Sequence, residues 1–175
     1  MIYLNFKDFV AKLPPIGRMM GIDWGAVRTG IAISDEARGF AFPREIIVGA
    51  NENSPANAAD RRANFHSPLQ RIVEIVNVEK IVGIVVGLPT HADGTDSATT
   101  ARVREFADEL AVATNVPIAF VDERLSSVEA EEIVGAYRIR PNKAKKEGRM
   151  RYAPTRIDAA AAAVLLTDAI GMMKK

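Results

Sequence analysis

Three carboxylates in this chain occupy positions where a carboxylate needs a partner. Asp23 interrupts an apolar strand start and is followed by a glycine-punctuated turn and a second apolar run, Ile31 to Ile33. Burying a carboxylate in such a strand is costly unless a hydrogen-bond donor or a metal ion binds it. Glu123 and Asp158 have comparable settings downstream. Three converging carboxylates would form a site for a hard cation.

Each acid also has an alternative explanation in which it serves the fold and takes no part in chemistry. Asp23 could accept hydrogen bonds from backbone amides of the glycine-rich turn. Asp122 and Glu123 end a strand, where surface acids are common, and because successive strand residues face opposite sides at most one of them can enter a site. Asp158 completes Thr155-Arg156-Ile157-Asp158, which fits a capping box, and a helix N-terminus favours an acid in its first turn.

Length and composition predict one globular domain. The chain has 175 residues, of which 48% are apolar and 26% charged, ordinary values for a protein with one substantial core. It has no cysteine, which excludes disulfides and thiolate zinc sites and favours a reducing compartment. The N-terminus lacks the uninterrupted apolar core of a signal peptide, and no apolar run approaches the roughly 20 residues that span a bilayer. We therefore expect a soluble, cytoplasmic protein with no membrane partner.

Hydrophobic periodicity predicts the elements that must position the acids. An N-terminal extension, residues 1–18, carries a short amphipathic helix, and a single domain follows over residues 19–175. The expected strands are Met19 to Trp24, Thr29 to Ser34, Phe40 to Val48, Ile81 to Val86 and Pro117 to Val121. Pro43 indicates that the third strand lies at an edge or contains a bulge.

Helices are expected between and after these strands. One ends near Asn77 and buries Leu69, Ile72, Val73 and Val76; the next buries Val103, Phe106, Ala107 and Leu110. Another opens at Ser126, and the last runs from Arg156 to about Ile170. The order βββαβαβα predicts an α/β domain with a five-stranded mixed sheet flanked by helices, which is typical of the RNase H-like fold.

The charge of the chain is unevenly distributed. The net charge is +1, but residues 138–156 contain eight bases and one acid, so this segment carries +7 and the remainder −6. A cationic segment on an acidic domain favours a polyanionic partner such as nucleic acid over a merely solvated loop. The segment has no apolar period, and residues 138–154 are predicted to form a mobile loop.

Three motifs resemble those of the YqgF (RuvX-like) family of bacterial nucleases. They are Gly21-Ile22-Asp23-Trp24-Gly25, Gly87-Leu88-Pro89 with Asp93-Gly94-Thr95, and Asp122-Glu123-Arg124-Leu125-Ser126-Ser127, followed by Asp158 ahead of an alanine-rich helix. The resemblance implies a metal-dependent, RNase H-like nuclease. That family is associated with maturation of pre-16S ribosomal RNA and with a proposed Holliday-junction resolvase role.

The resemblance selects Asp23, Glu123 and Asp158 as catalytic, metal-binding residues. Phosphodiester hydrolysis needs an activated water, a stabilised leaving oxygen and charge neutralisation, and two divalent ions roughly 4 Å apart can supply all three. The expected cofactor is Mg²⁺ or Mn²⁺, as two ions, with Asp23 as the bridging ligand. Related resolvases and RNases usually place an acid at the end of the fourth strand, but here none follows that strand until Asp93, which could assist or simply form a turn.

Basic residues are the expected contacts to nucleic acid. Arg124 could hold a phosphate or pair with a carboxylate of the site. The others lie in the basic segment: Lys143, Lys145, Lys146, Arg149 and Arg151. Pre-rRNA is favoured over a four-way DNA junction, with ribosomal particles as a further candidate partner, because resolving a two-fold symmetric junction needs a dimer and no dimerisation face is recognisable. The oligomeric state stays open.

Two other classes of protein share parts of this pattern. Sugar kinases and actin-like ATPases also begin with an Asp-x-Gly hairpin, but they need a second domain to enclose the nucleotide, and 175 residues leave no room for it. A non-catalytic RNA-binding module would use the basic segment and retain the acids only as remnants. The presence of all three acids favours the enzyme.

The basic segment generates a testable prediction. Each phosphate contact to a single strand steepens the dependence of log affinity on log salt by about 0.7. Replacing Lys143, Lys145 and Lys146 by alanine should therefore lower that slope by about 2 while turnover at saturating substrate changes little. Binding to labelled RNA across a salt series measures it, and an unaltered slope would show that these lysines do not contact the backbone.

Overall fold

The computed structural model describes residues 1–48, 68–89, 98–122 and 157–174. Its centre is a six-stranded mixed sheet with the order β1-β6-β5-β2-β3-β4. The strands are β1 (Ile2–Tyr3), β2 (Met19–Trp24), β3 (Arg28–Ser34), β4 (Ala41–Val48), β5 (Gly83–Leu88) and β6 (Ile118–Asp122). The helices are α1 (Phe6–Val10), α2 (Pro68–Glu79), α3 (Ala98–Thr114) and α4 (Ile157–Met173).

The first half of the sheet is an antiparallel meander, as the sequence predicts. β2 pairs with β3, with Asp23 opposite Gly30, and β3 pairs with β4. β4 is an edge strand, and its register with β3 shifts between Ile31 and Ala32, where the partner changes from Glu45 to Pro43. Both consequences expected of Pro43, an edge position and an irregularity, are confirmed, since proline cannot donate to a strand ladder.

The second half of the sheet is parallel and buried. β5 lies between β2 and β6, and all six of its residues are buried, as expected for a strand covered on both faces. It begins at Gly83 and ends at Leu88, two residues later than the predicted apolar run. Because β2, β5 and β6 run in the same direction, their carboxyl ends lie at one edge of the sheet.

The N-terminal extension adds a sixth strand that the sequence analysis does not predict. β1 pairs in parallel with Ile118 and Ala119 of β6, while Phe9 of α1 is fully buried against the sheet. Arg38 fixes the following loop: its Nε donates to the Gly17 carbonyl at 3.0 Å, and its Nη2 donates to the Pro14 carbonyl at 2.7 Å. A two-residue strand has no periodicity that a sequence pattern can reveal.

Strand alternation divides the core between the two faces of the sheet. One face carries Ile22, Ile84 and Ile118 and packs on α2 and α3. The buried residues of α3 include the predicted set, Val103, Phe106, Ala107 and Leu110. α2 buries Ile72 and Val76 as expected, and also Ile75, whereas Leu69 and Val73 are half-buried. The other face carries Met19, Ala32 and Val85 and packs on α1 and α4.

α4 lies unusually close to its face of the sheet. A Cβ on Gly21 would stand 2.7 Å from the Ala162 carbonyl oxygen and 2.8 Å from the Leu166 Cβ, and a Cβ on Gly30 would overlap the Asp158 carbonyl oxygen. The helix side of the contact is also small, with Ala162 and other alanines buried. Small residues on both sides therefore let the helix backbone rest on β2 and β3.

None of the helices in the described ranges is long and apolar enough to cross a membrane. The predicted helix that opens at Ser126 and the basic segment lie outside the described residues, as does Thr155, the expected cap of the last helix. That last helix is confirmed, beginning at Ile157 and ending at Met173.

The close contact of α4 predicts the effect of a single methyl group. Gly21→Ala should lower the free energy of unfolding by about 1–3 kcal/mol, the usual cost of overpacking a core. Gly171→Ala, within α4 and with nothing within 4 Å of the added Cβ, is the matched control and should be neutral or stabilising by up to about 1 kcal/mol. Urea denaturation measures both, and equal stability of Gly21→Ala and the parent protein would contradict the packing argument.

Candidate functional site

Asp23 lies at the carboxyl end of β2, on the face of the sheet that α4 covers. It is opposite Gly30 in the β2–β3 pair, and strand alternation places it on the same side as Met19 and Gly21. The neighbouring strand, β5, ends close to this level, since Ile22 pairs with Val86. Ligands of open α/β sheets bind at such an edge, beyond the carboxyl ends of parallel strands.

Asp158 reaches the same place from the far end of the chain. It lies in the first turn of α4, where the helix dipole favours a negative charge. Its backbone carbonyl rests directly on Gly30, the residue opposite Asp23. Glycine is required here because any Cβ would push the first turn of the helix away from the strand. Gly30 thus places the two carboxylates side by side.

Asp23 and Asp158 line one open cleft. The rest of its wall is the β2–β3 turn, formed by Gly25, Ala26 and Val27, together with Arg28 at the start of β3. Gly25 also serves a steric role, because a Cβ there would stand 2.6 Å from the Arg28 carbonyl oxygen. The predicted combination of a strand that carries one acid with a glycine-rich turn therefore produces a concave surface that two acids help to line.

The negative charge of Asp158 and burial both act against the ionised form of Asp23. Burial raises the pKa of Asp23 above its ordinary value, and the negative charge of Asp158 raises it further. Asp158 Oδ2 is buried and has no hydrogen-bond partner within the part of the chain that the structure describes. A buried carboxylate oxygen without a donor is costly. Both observations describe carboxylates that the surrounding described residues compensate only in part.

The donor set fits a hard divalent cation. Carboxylate oxygens are the preferred ligands of Mg²⁺ and Mn²⁺, and Asp158 Oδ2 is one that accepts no hydrogen bond from the described residues. Within the described ranges no three histidine, cysteine or acidic side chains group together as a metal site. The third predicted ligand, Glu123, lies outside these ranges.

Several other predicted residues also lie outside the described ranges. These are Asp93, Arg124 and the five nucleic-acid contacts of the basic segment: Lys143, Lys145, Lys146, Arg149 and Arg151. Asp122 is described and ends β6, one residue after Val121, which belongs to the face that α4 covers. Alternation therefore puts Asp122 on the other face, away from the cleft. β5 ends at Leu88 without an acid, as its sequence indicates.

Two residues next to the acids differ in role. Trp24 packs against Phe106 with 5.9 Å between ring centroids, so it belongs to the core on the α2–α3 face. Arg28 lines the cleft and is exposed. Both residues follow the strand acid in the sequence and are candidate contacts to nucleic acid on that ground, with packing as the alternative for Trp24. Gly30 has no predicted role, because no motif shows which helix will approach the hairpin.

Comparison with known proteins identifies the family to which these motifs belong. The sequence model of the family described as RuvX, Holliday junction resolvase, matches residues 17–171. The chain belongs to the RuvX family. The match extends from just before β2 into the last turn of α4, so it includes Asp23, Asp158 and the other residues that line the cleft.

Curated relatives in the RuvX family carry a common description. A protein of Sphingopyxis alaskensis is 35% identical over 175 residues, covering 100% of both chains, and one of Rhizobium meliloti is 31% identical over 170 residues, covering 97% of this chain and 90% of the relative. One of Ruegeria pomeroyi is 38% identical over 132 residues, 75% of this chain and 77% of the relative. All three are described as "Putative pre-16S rRNA nuclease". The resemblance to YqgF (RuvX-like) nucleases is confirmed.

Solved structures show the same fold. RuvC of T. thermophilus in complex with a Holliday junction substrate superposes with a TM-score of 0.53 at 16% identity, covering 91% of this chain and 97% of that one. The yeast mitochondrial Holliday junction resolvase Ydc2 gives a TM-score of 0.51 at 13% identity, covering 97% and 84%. The expected RNase H-like architecture is confirmed, with β1 added to the predicted five strands.

The raised pKa of Asp23 predicts how stability depends on pH. Folding makes Asp23 bind its proton more tightly, so its ionisation costs stability as pH rises from the ordinary value of 3.8 through the raised value. Asp23→Asn removes this cost. In EDTA the variant should match the parent protein below pH 3.8 and become the more stable of the two toward neutral pH.

The comparison is made by chemical denaturation of both proteins across that pH range. All other titrating groups are shared, so their contributions largely cancel in the difference between the two free energies of unfolding. A variant that is less stable than the parent at neutral pH would mean that the Asp23 carboxylate is stabilised by its surroundings.

Proposed function

We propose that this protein is a metal-dependent nuclease that hydrolyses phosphodiester bonds in maturation of the 5′ end of pre-16S ribosomal RNA. The observation that carries the proposal is the cleft, where two acids distant in sequence meet and one buried carboxylate oxygen has no hydrogen-bond partner in the described part of the chain. The names of the curated relatives and the RuvX family match support the nuclease class.

In this proposal Asp23, Asp158 and Glu123 hold two ions of Mg²⁺ or Mn²⁺. Such ions polarise the phosphoryl group, lower the pKa of water and stabilise the leaving oxygen. Asp23 is rigid because it belongs to a strand paired on both sides, which suits a ligand shared between two ions. Asp158, on a helix fixed against Gly30, holds the second side of the cleft.

Strand alternation supports the choice of Glu123 over Asp122. Val121 is on the face that α4 covers and Asp122 is on the opposite one. Glu123 is next in the sequence and lies outside the described residues; it is the acid that we assign to the β6 side of the site, beside β5, whose end carries no acid.

Basic residues bring the substrate to this cleft in the proposal. Lys143, Lys145, Lys146, Arg149 and Arg151 precede α4 in the sequence, and Asp158 lies in its first turn. Phosphates bound by this segment are therefore delivered next to the acids. Arg124 directly follows Glu123 and is assigned to a phosphate as well.

Holliday-junction resolution is the second candidate, since the RuvX family model carries that description. A four-way junction is two-fold symmetric, so its resolution requires two active sites in a dimer. Cleavage of RNA requires one site. The two candidates are therefore separated by substrate and by oligomeric state together.

The experiment compares the two substrates side by side. Labelled pre-16S rRNA and a synthetic four-way junction are incubated with the protein in Mg²⁺, Mn²⁺ or EDTA. We expect cleavage of the RNA with either metal and none in EDTA. Cleavage of the junction alone, by a dimer, would replace the RNA assignment, and metal-independent cleavage of either substrate would overturn the mechanism.

Two conservative variants test the roles of the acids. Asp23→Asn and Asp158→Asn should each reduce turnover at least about a hundredfold, because each removes a charged ligand from the proposed metal site. Asp108→Asn makes the same chemical change at an exposed position of α3 and should retain full activity. Thermal melting separates catalysis from folding.

A purely structural Asp158 gives a different result. Loss of a capping interaction should cost about 1 kcal/mol of stability. Full activity of Asp158→Asn together with a lowered melting temperature would return Asp158 to a capping role.

A further inference from the structure

Arg28 is a cation held at the edge of an acidic cleft. It begins β3, and strand alternation puts it on the same side of the sheet as Gly30. Gly30 is covered by the Asp158 backbone and is paired with Asp23 of β2. It is the one exposed residue of β3, whose other six residues are buried. The Arg28 side chain therefore lines the cleft from a sheet strand and is open to solvent.

The contact between Arg28 and Asp158 is longer than a hydrogen bond. Arg28 Nη1 lies 4.0 Å from Asp158 Oδ2, beyond the 2.7–3.2 Å that is usual for an N–H···O hydrogen bond. Other arginines of the described ranges are bound much more closely: Arg71 donates to Glu45 at 2.9 Å and to Glu74 at 3.0 Å, and Arg18 donates to Glu79. The Arg28 guanidinium thus keeps donors that the carboxylate does not occupy.

An ion pair with Asp158 does not by itself explain this position. The Arg28 side chain is 42% exposed and that of Asp158 31%, and exposed pairs at such a distance add little to stability. A guanidinium presents a planar fork of donors that matches two oxygens of a phosphate. An arginine with such donors at an open cleft has the geometry of an anion contact.

The negative charge of the two acids is a second reason to expect an anion contact at Arg28. Asp23 and Asp158 together would repel a phosphodiester, which is itself an anion. Arg28 is the cationic residue of the cleft wall within the described ranges. It supplies attraction for phosphate at the place where the two carboxylates oppose its approach.

We propose that Arg28 binds a phosphate of the nucleic-acid substrate within the cleft, beside Asp23 and Asp158. The inference rests on the proposed function for the identity of the substrate as RNA. In this proposal the β2–β3 hairpin has two roles: β2 carries Asp23, one acid of the site, and β3 carries Arg28, which binds the phosphate.

The test is binding rather than turnover. A short fluorescein-labelled single-stranded RNA is titrated in EDTA across a salt series. Arg28→Gln should raise the Kd about tenfold, close to the lower end of the range measured for hydrogen bonds to charged groups, and lower the salt slope by about 0.7. Arg28→Lys keeps the charge without the fork, so it should keep the parental slope and lose only part of the affinity.

Two controls separate phosphate binding from other roles. Arg102→Gln makes the same charge change at an exposed position of α3, on the other side of the sheet, and should keep the parental slope. Arg28→Gln is then repeated in an Asp158→Asn background. A phosphate contact keeps its effect on Kd there, whereas a residue acting only through Asp158 loses it.

Outcomes for this inference and for the proposed function are distinct. If the protein cleaves RNA but Arg28→Gln binds with the parental Kd and slope, the inference is overturned and the nuclease stands. The inference is likewise overturned if the effect vanishes in the Asp158→Asn background. If no cleavage occurs with any metal but binding depends on Arg28 as described, the inference stands while the catalytic assignment fails.

Discussion

The contact between α4 and the β2–β3 hairpin is the constraint on which the site depends. Gly21 and Gly30 remove the side chains that would hold the helix away, and the helix presents alanines in return. At Gly30 the Asp158 backbone rests on the strand directly opposite Asp23. A packing requirement in the core therefore brings two acidic side chains together in the cleft, and neither carboxylate needs a hydrogen bond to the other to be positioned.

That arrangement carries an electrostatic cost. Asp23 is buried enough that its pKa is raised, the nearby charge of Asp158 adds to the effect, and Asp158 Oδ2 is buried without a donor in the described ranges. Groups chosen only for stability would not combine these features, because a neutral residue at either position would avoid the penalty. A carboxyl group with a perturbed pKa in an open cleft, as Asp23 is, is typical of functional sites. The same logic explains the arginine beside them, since a site that handles anions needs attraction as well as acids.

Much of the frame could be predicted from the sequence because it follows from local periodicity. The apolar runs locate β2, β3, β5 and β6, and Pro43 correctly marks an irregular edge strand. Prediction from the sequence fails for features that depend on contacts between elements far apart in the chain. Two residues of β1 have no pattern of their own, and a glycine in a strand does not tell which element approaches it. Asp23 and Asp158 are recognisable from sequence as acids in unusual settings, and Arg28 as a base that follows the strand acid. The position of Arg28 beside Asp158 becomes visible only when the helix turn is placed against Gly30.

The order of the acids along the chain has a consequence for synthesis. Asp23 is synthesised with the β2–β3 hairpin, whereas Asp158 follows only with α4, so the contact between them is highly non-local. Non-local contacts form late because loop closure must precede them. A nascent chain that has completed the sheet through β6 thus carries an incomplete cleft. Assembly of the cleft is coupled to docking of α4. In a partly made chain, or in a chain whose α4 is undocked, the cleft therefore contains Asp23 without Asp158.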